Sequence, residues 1–200
     1  MTGRMDTAVV TSFGTGFSTG LSQKGVRNHN ERLLLTLLQR QGEMPGSDLA
    51  KLSGLSPPTV SAILKRLEND GLLEKGEPVR GKVGKPSVPM ALTANGVLSY
   101  GLKIGRRSAE FLLMDMTGAV RVQRQFDYPA PVPEDVFAFV ASGLAEISAS
   151  LPHGQHDRIC GIGVAAPFEM WNAQRGPNDT QNSFPDWQNV NIAAEIAKFT

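Results

Sequence analysis

Apolar residues follow two different periods along this 200-residue chain. Between residues 28 and 69 they recur every three or four positions, which is the spacing of one face of an α-helix. Between residues 100 and 126 they alternate with polar residues, as in a sheet with one buried face. The change of period predicts a helical domain followed by a domain built on a sheet.

The helical half begins with a helix over residues 28–41. Its inward positions are leucines: Leu33, Leu34, Leu37 and Leu38. Gly42 follows directly, where a glycine commonly ends a helix. Residues 1–24, before this helix, are rich in Gly, Ser and Thr without any period, so we expect a disordered tail there.

Residues 47–73 predict two short helices joined by a tight turn. The first helix has a small apolar face: Leu49, Ala50 and Leu52. Gly54 supplies the turn, where we expect a side chain to crowd the crossing helix. Ser56 caps the second helix, and Pro57 takes its first position, where no N–H is needed. The core-facing residues of this second helix are Val60, Ile63, Leu64 and Leu67.

The outward face of the second helix is small, polar and basic, and it carries Pro58, Thr59, Ser61, Ala62, Lys65 and Arg66. Short side chains permit close approach to the major groove of DNA, and hydroxyl and ammonium groups reach phosphates or base edges. Residues 56–69 therefore predict a recognition helix. The expected DNA contacts from this helix are Ser56, Pro58, Thr59, Ser61, Ala62 and Lys65. Its first turns hold no Asn, Gln or Arg, so we expect sparse direct base readout.

Two strands are predicted next, at residues 71–76 and 88–92, with a basic, Gly-rich hairpin tip between them. The tip presents three cations separated by glycines: Arg80, Lys82 and Lys85. Such a wing suits the minor groove or the flanking phosphates, and shape readout through it adds specificity. The alternative is a solvated surface loop. Three helices and a hairpin make residues 25–92 a winged helix-turn-helix domain.

Charge and cysteine usage narrow the class of protein. Residues 21–100 hold 11 Lys and Arg against 7 Asp and Glu, whereas residues 101–200 hold 8 against 11. A basic first half suits a module that faces phosphates. The single Cys160 excludes an intramolecular disulfide framework, and its apolar surroundings predict a buried thiol. No apolar run is long enough to span a bilayer, so we expect a cytoplasmic protein without a membrane partner.

After residues 93–99, which form a short helix or a linker, the second half predicts the order β-β-β-α-β. The strands are residues 100–104, 109–116 and 119–126, the helix is residues 134–150, and the last strand is residues 158–166. Thr117-Gly118 makes the turn between the second and third strands, and the last strand is continuously apolar, as in a strand buried on both faces. One further helix is expected at residues 191–199. These helices are too few to cover both faces of the sheet. We therefore expect a longer protein or a partner to supply the missing cover.

A combination of motifs resembles the ROK family of repressors, uncharacterised reading frames and sugar kinases. The motifs are Asn28-x-x-x-Arg-Leu-Leu, Gly54-Leu-Ser-x-x-Thr-Val-Ser, Gly71-Leu-Leu, Gly84-Lys-Pro, Tyr100-Gly-Leu-Lys-Ile-Gly-Arg-Arg-Ser and Gly161-Ile-Gly-Val-Ala-Ala-Pro. The resemblance covers residues 25–200. It implies an α/β protein in which residues 100–200 are the first part of an actin-like, ribonuclease-H-like ATPase-type domain that senses sugars or forms dimers.

The resemblance also implies that kinase chemistry is lost. Kinases of the family carry Asp-x-Gly-Gly-Thr in the first hairpin, whereas this chain has Lys103 at the Asp position, keeps Gly105, and has Arg106 and Arg107 in place of Gly and Thr. Lysine cannot coordinate Mg²⁺, and arginine side chains obstruct a phosphate cradle. No enzyme activity and no cofactor site are therefore expected within these residues.

Other family elements are absent or altered. The sugar-binding Asn-Asp motif and the Cys-rich zinc loop are not found here, and one Cys with His29, His153 and His156 scattered along the chain builds no zinc site. Phe168-Glu169 replaces the Gly-Pro that often follows the last strand, which argues against a sugar contact there.

Three functions compete. The favoured one is a regulator, expected to be a repressor of carbohydrate metabolism, that binds a palindromic DNA operator as a homodimer or tetramer and responds to a sugar effector. The effector would shift the equilibrium between dimer geometries. The alternatives are a winged-helix module that binds protein and, least favoured, a sugar kinase.

Overall fold

The computed structural model describes residues 7–9, 23–78, 87–167 and 184–199. Their helices and strands, in chain order, are β1 (Thr7–Val9), α1 (Gln23–Gln41), β2 (Met44–Pro45), α2 (Gly46–Ser53), α3 (Pro57–Asn69), β3 (Leu73–Lys75), β4 (Pro89–Leu92), β5 (Leu98–Ile104), β6 (Ser108–Asp115), β7 (Val120–Asp127), α4 (Pro133–Ser150), β8 (Ile159–Pro167) and α5 (Ile192–Ile196). They belong to two compact units, one within residues 13–97 and 115–119, the other within residues 1–12, 98–114 and 120–200.

The first unit has three helices and a small antiparallel sheet with the order β2-β4-β3. Met44 pairs with Met90, and Leu73 pairs with Leu92. The core lies between the helices and this sheet; its buried residues include Leu34, Leu38, Leu49, Val60, Ile63, Leu64, Leu67 and Leu73. The predicted helical periodicity is confirmed. Strand β2 has no counterpart in the sequence pattern, because two residues are too few to show a period.

Three details of the predicted helices need comment. The sequence pattern puts Leu52 on the apolar face of α2, but its side chain is 52% exposed. Leu33 and Leu37, predicted inward, are partly buried, and Leu37 packs against the core that buries Leu34 and Leu38. The helix α1 also begins earlier than predicted, at Gln23.

Gly54 is needed in the turn for a reason that differs from the expected one. Its φ is 71°, in the left-handed region, and its N–H donates a 3.0 Å hydrogen bond to the carbonyl of Ala50. A Cβ built at Gly54 meets no atom within 4 Å. The constraint is therefore the backbone conformation rather than crowding by the next helix.

The second unit is a mixed sheet whose described strands follow the order β1-β8-β5-β6-β7. Strand β8 runs parallel to β5, and β7 runs antiparallel to β6. Helix α4 is the crossover, and it buries Val136, Val140 and Ile147 against the alternating inward residues of β5 and β6. The predicted β-β-β-α-β order and the Thr117-Gly118 turn, with φ 91° at Gly118, are confirmed.

Several expectations for this unit are corrected. Strand β8 is not buried on both faces: Cys160, Gly161 and Gly163 are exposed. In the described residues, α4 covers one face of the sheet only, so the apolar run of β8 is half covered and Cys160 is not a core thiol. Thr7–Val9, inside the predicted disordered tail, pair antiparallel with β8.

The remaining differences concern element ends. Residues 93–97 form a turn rather than a helix, closed by the Gly96 N–H bond to the Thr93 carbonyl, and β5 begins at Leu98. The last helix, α5, spans fewer residues than predicted, and Asn191 caps it by accepting from the Ala194 N–H.

Candidate nucleic-acid interface

Helix α3 begins with a complete cap. The Ser56 Oγ accepts a 3.4 Å hydrogen bond from the Thr59 N–H, and it lies 2.8 Å from the Thr59 Oγ1. Pro57 occupies the first helical position, and the Ser56 carbonyl accepts from the Val60 N–H at 3.0 Å. Two hydroxyls are thus held at the N-terminus of α3, where Pro57 and Pro58 carry no N–H and the N–H groups of Thr59 and Val60 are already bonded.

The outward side of α3 is a stripe of four exposed residues that we call the reading stripe: Pro58, Ala62, Lys65 and Asn69. Their spacing of four, three and four positions places them on one line along a helix with 3.6 residues per turn. Ser61 lies beside the stripe and is also exposed. The opposite side is the buried one, with Val60 1% and Leu67 2% exposed, so the orientation of α3 is set by its core residues.

Lys65 is the cation at the centre of the reading stripe. It is exposed and makes no ion pair with another residue in the described ranges, unlike several cations nearby. Lys51 lies 3.1 Å from Asp48, and Lys75 lies 2.6 Å from Glu68. Because Lys65 has no such carboxylate partner, its ammonium group can meet a phosphate without first leaving an ion pair.

The predicted contact residues divide into three groups. Ser61, Ala62 and Lys65, with Pro58, come together on the outward surface of α3. Ser56 and Thr59 lie at its start, where each hydroxyl is engaged by the other. Arg80, Lys82 and Lys85 of the predicted wing lie outside the described residues.

One polar residue of the stripe is absent from the sequence-based prediction. Asn69, the last residue of α3, is exposed and follows Lys65 by four positions. Its amide offers both a donor and an acceptor. The helical spacing that locates Lys65 also locates Asn69. The prediction of sparse base readout concerns amides in the first turns of the helix only, whereas Asn69 lies at its end.

The second unit contains the β5–β6 turn, which corresponds to the phosphate-binding turn of kinases in the family that the sequence resembles. Here the Gly105 N–H donates to the Ser108 carbonyl at 2.8 Å, and a Cβ at Gly105 would lie 2.9 Å from that oxygen. Lys103 Nζ lies 2.8 Å from Glu110 Oε1, and Arg107 Nη1 donates to the Pro129 carbonyl at 2.7 Å. The turn is satisfied by the chain's own groups, so no amide donor of Gly105 remains for a phosphate.

Tyr128 closes the same turn. Its hydroxyl donates a 2.8 Å hydrogen bond to the Gly105 carbonyl. Burial raises the pKa of Tyr128 to about 12. Burial also raises the pKa of Tyr100.

Metal-binding clusters and membrane-spanning helices are both absent from the described ranges. Within residues 7–9, 23–78, 87–167 and 184–199, no three His, Cys, Asp or Glu side chains lie close enough together to hold a metal ion. None of the helices in those ranges combines the length and the apolar character that crossing a membrane requires.

Comparisons with known proteins agree with this geometry. A family model described as winged helix-turn-helix DNA-binding matches residues 27–74. The uncharacterized protein y4fQ of Sinorhizobium fredii is 25% identical over 144 residues, covering 72% of this chain and 36% of its own length. The DNA-binding transcriptional dual regulator NagC of Escherichia coli is 20% identical over 142 residues, covering 71% of this chain and 35% of its own length.

Among solved structures, a ROK family transcriptional regulator described as a homolog of the E. coli MLC protein aligns with 70% of this chain and 35% of its own. Its TM-score is 0.49 and its identity 21%. The chain spans little more than a third of the length of the two curated relatives named above. The family model and the helix geometry agree that residues 27–74 form a winged helix-turn-helix DNA-binding domain.

Proposed function

We propose that this chain is a transcriptional regulator that binds double-stranded DNA through α3, and that it is not an enzyme. The observation that carries the proposal is the reading stripe, in which small residues surround an exposed lysine that has no carboxylate partner among the described residues. Large apolar side chains are absent from this stripe. That composition favours a nucleic acid over a protein partner.

The proposed geometry follows from size. A helix with side chains is about 10–12 Å across and fits a major groove about 12 Å wide. Pro58 and Ala62 let the backbone of α3 approach the bases, and Ala62 can contact a thymine methyl group. Lys65, Ser61, Ser56 and Thr59 then meet phosphates or base edges, and the wing residues Arg80, Lys82 and Lys85 meet the flanking backbone or the minor groove.

For the second unit we propose a sensing role without catalysis. Relatives from E. coli and Shigella flexneri are named N-acetylglucosamine repressors, which supports a sugar or sugar derivative as the effector and carbohydrate metabolism as the regulated process. Lys103 is held by Glu110 at the position where a kinase needs a metal-organising carboxylate, which disfavours phosphoryl transfer. We expect a repressor that acts in the cytoplasm as a homodimer or tetramer on a palindromic operator.

A binding experiment tests the proposal. The full chain is mixed with labelled duplexes from the region upstream of its own gene, and with an unrelated duplex of equal length, and fluorescence anisotropy is recorded. We expect one upstream duplex to bind more tightly than the unrelated one, and candidate sugars to change that affinity. Equal affinity for every upstream duplex and for the unrelated duplex would count against the regulator.

A matched pair of variants then locates the surface. Lys65→Gln removes the cation of the reading stripe, whereas Lys75→Gln removes a cation that is already paired with Glu68. We expect the first to weaken binding to all duplexes and to flatten its salt dependence by about 0.9 for each phosphate that the protein no longer neutralises. The second should change both quantities much less.

A further inference from the structure

Arg66 follows Lys65 on α3, but unlike Lys65 it is engaged in an ion pair. Its guanidinium forms an ion pair with the carboxylate of Glu31 on α1. The side chains are 38% and 23% exposed, so the pair lies at an edge of the first unit rather than in its core. Glu31 is thus the residue that determines which group the charge of Arg66 meets.

Arg66 lies on the flank of the proposed reading face. It follows Ala62 of the reading stripe by four positions and Thr59 by seven, so Arg66 and Thr59 lie on the side of α3 next to the stripe. When a helix fills the major groove, its flanks face the phosphates that border the groove rather than the bases. Arginine at such a position is a strong phosphate ligand, because its planar guanidinium can bind two oxygens at once.

Resting on the proposed function, we infer that Glu31 limits the sequence-independent affinity for DNA, because it withholds Arg66 from the DNA backbone. Phosphate contacts add affinity for every sequence alike, and specificity is the difference between two affinities. A released Arg66 would therefore raise the affinity for every duplex and leave the discrimination between duplexes unchanged. With Glu31 present, Arg66 must leave its carboxylate partner before it can bind a phosphate, so its contribution to non-specific binding is largely cancelled.

The test uses the full chain with Glu31→Gln, which keeps the shape of the side chain and removes its charge. Affinity for an unrelated duplex is measured by anisotropy between about 50 and 200 mM salt, the range over which phosphate contacts dominate. We expect the unrelated duplex to bind several-fold more tightly, and the slope of log affinity against log salt to steepen by about 0.9, the value for one further neutralised phosphate.

Three control variants separate this role from a structural one. The double variant Glu31→Gln with Arg66→Gln should return the slope to that of the unmodified chain. Arg66→Gln alone should leave the slope unchanged, because the paired Arg66 makes no phosphate contact. Glu74→Gln removes an exposed carboxylate of β3 that pairs with no cation in the described ranges, so it changes the net charge equally and releases no arginine.

The outcomes are distinct. A slope in Glu31→Gln equal to that of the unmodified chain would overturn the inference. An equal steepening in Glu74→Gln or in the double variant would also overturn it. A flatter slope in Arg66→Gln alone would do the same, and this measurement tests the inference even if Glu31→Gln does not fold. If the unmodified chain binds no duplex at all, the proposed function itself fails, and that result is visible before any variant is made.

Discussion

The hydroxyl of Tyr128 donates a 2.8 Å hydrogen bond to the carbonyl of Gly105. The same residue's N–H donates to the carbonyl of Arg107 at 3.0 Å, so Tyr128 holds the β5–β6 turn at two points. With the Gly105 N–H already bonded to Ser108, the turn has a fixed internal pattern of donors and acceptors. Two expectations for this turn can be tested, namely that its stability depends on pH and that it binds no phosphate.

Alkaline pH should destabilise the second unit through Tyr128. Its pKa is raised from 10.0 to about 12 by burial, so in the unfolded chain the phenol ionises first. The stabilising contribution is therefore complete below pH 10 and is lost as pH rises towards 12. Denaturant unfolding measured across this pH range should show that decline, and Tyr128→Phe should show a weaker one. A phenolate absorbance from half of the tyrosine content at about pH 10 in the folded chain would contradict the raised pKa.

Magnesium-ATP should not bind at the β5–β6 turn. Lys103 is paired with Glu110, and the Gly105 N–H is bonded within the turn. The turn therefore offers no carboxylate at position 103 for the metal and no Gly105 N–H for the phosphates. We expect no affinity tighter than about 1 mM by calorimetry, and no sugar phosphorylation in a coupled assay. Micromolar binding, or a phosphorylated sugar, would refute the non-enzymatic proposal.

Substitutions at Gly54 should follow backbone preference rather than side-chain size. Gly54→Ala forces a residue with a Cβ to adopt φ 71° and should cost about 1–2 kcal/mol in the free energy of unfolding. Gly54→Asn should cost less although asparagine is larger, because asparagine tolerates the left-handed region and the site is open. Urea denaturation compares the two. If asparagine proves the worse substitution, crowding is the constraint.

Removing the hydroxyls of Thr59 and Ser61 together should weaken binding to the preferred duplex by about 1–3 kcal/mol. Ser61 is exposed, and Thr59 shares its hydroxyl with Ser56 at the start of α3, so helix α3 itself should persist. Thr36→Ala, an exposed position on α1, is the matched control. The double variant should keep the circular dichroism spectrum of the unmodified chain; unchanged affinity in that folded protein would remove these residues from the reading face.

The wing prediction concerns the hairpin tip alone. Replacing Arg80, Lys82 and Lys85 with alanine should lower affinity for all duplexes, and the salt slope should flatten by about 0.9 for each phosphate that the wing had neutralised. Anisotropy at several salt concentrations measures this slope. An identical slope in the triple variant would favour the alternative, a solvated surface loop.

The elements that the sequence predicted are those whose signals are local. The Ser56 cap, the first-turn Pro57 and the spacing of Val60 to Leu67 all lie within one helix, so α3 and its outward face follow from the sequence alone. The alternation in β5 and β6 is likewise local, as is the glycine turn at Gly118. Strand β2 has only two residues, which is too short for a hydrophobic period to be recognised, so the sequence does not predict it.

What only the tertiary structure decided is which groups are already engaged or covered. The pairing of Arg66 with Glu31, and of Lys103 with Glu110, depends on how separate elements pack. Arg66 and Lys65 therefore look alike in sequence, although of these two cations Arg66 is paired and Lys65 has no ion-pair partner among the described residues. The exposure of Leu52 and Cys160 has the same origin. An apolar pattern shows which residues would gain from burial, whereas burial itself requires another element to cover that face. The sequence thus determined helix α3 and the chain order of β5, β6, β7, α4 and β8, and packing decided which of their side chains remain free to bind.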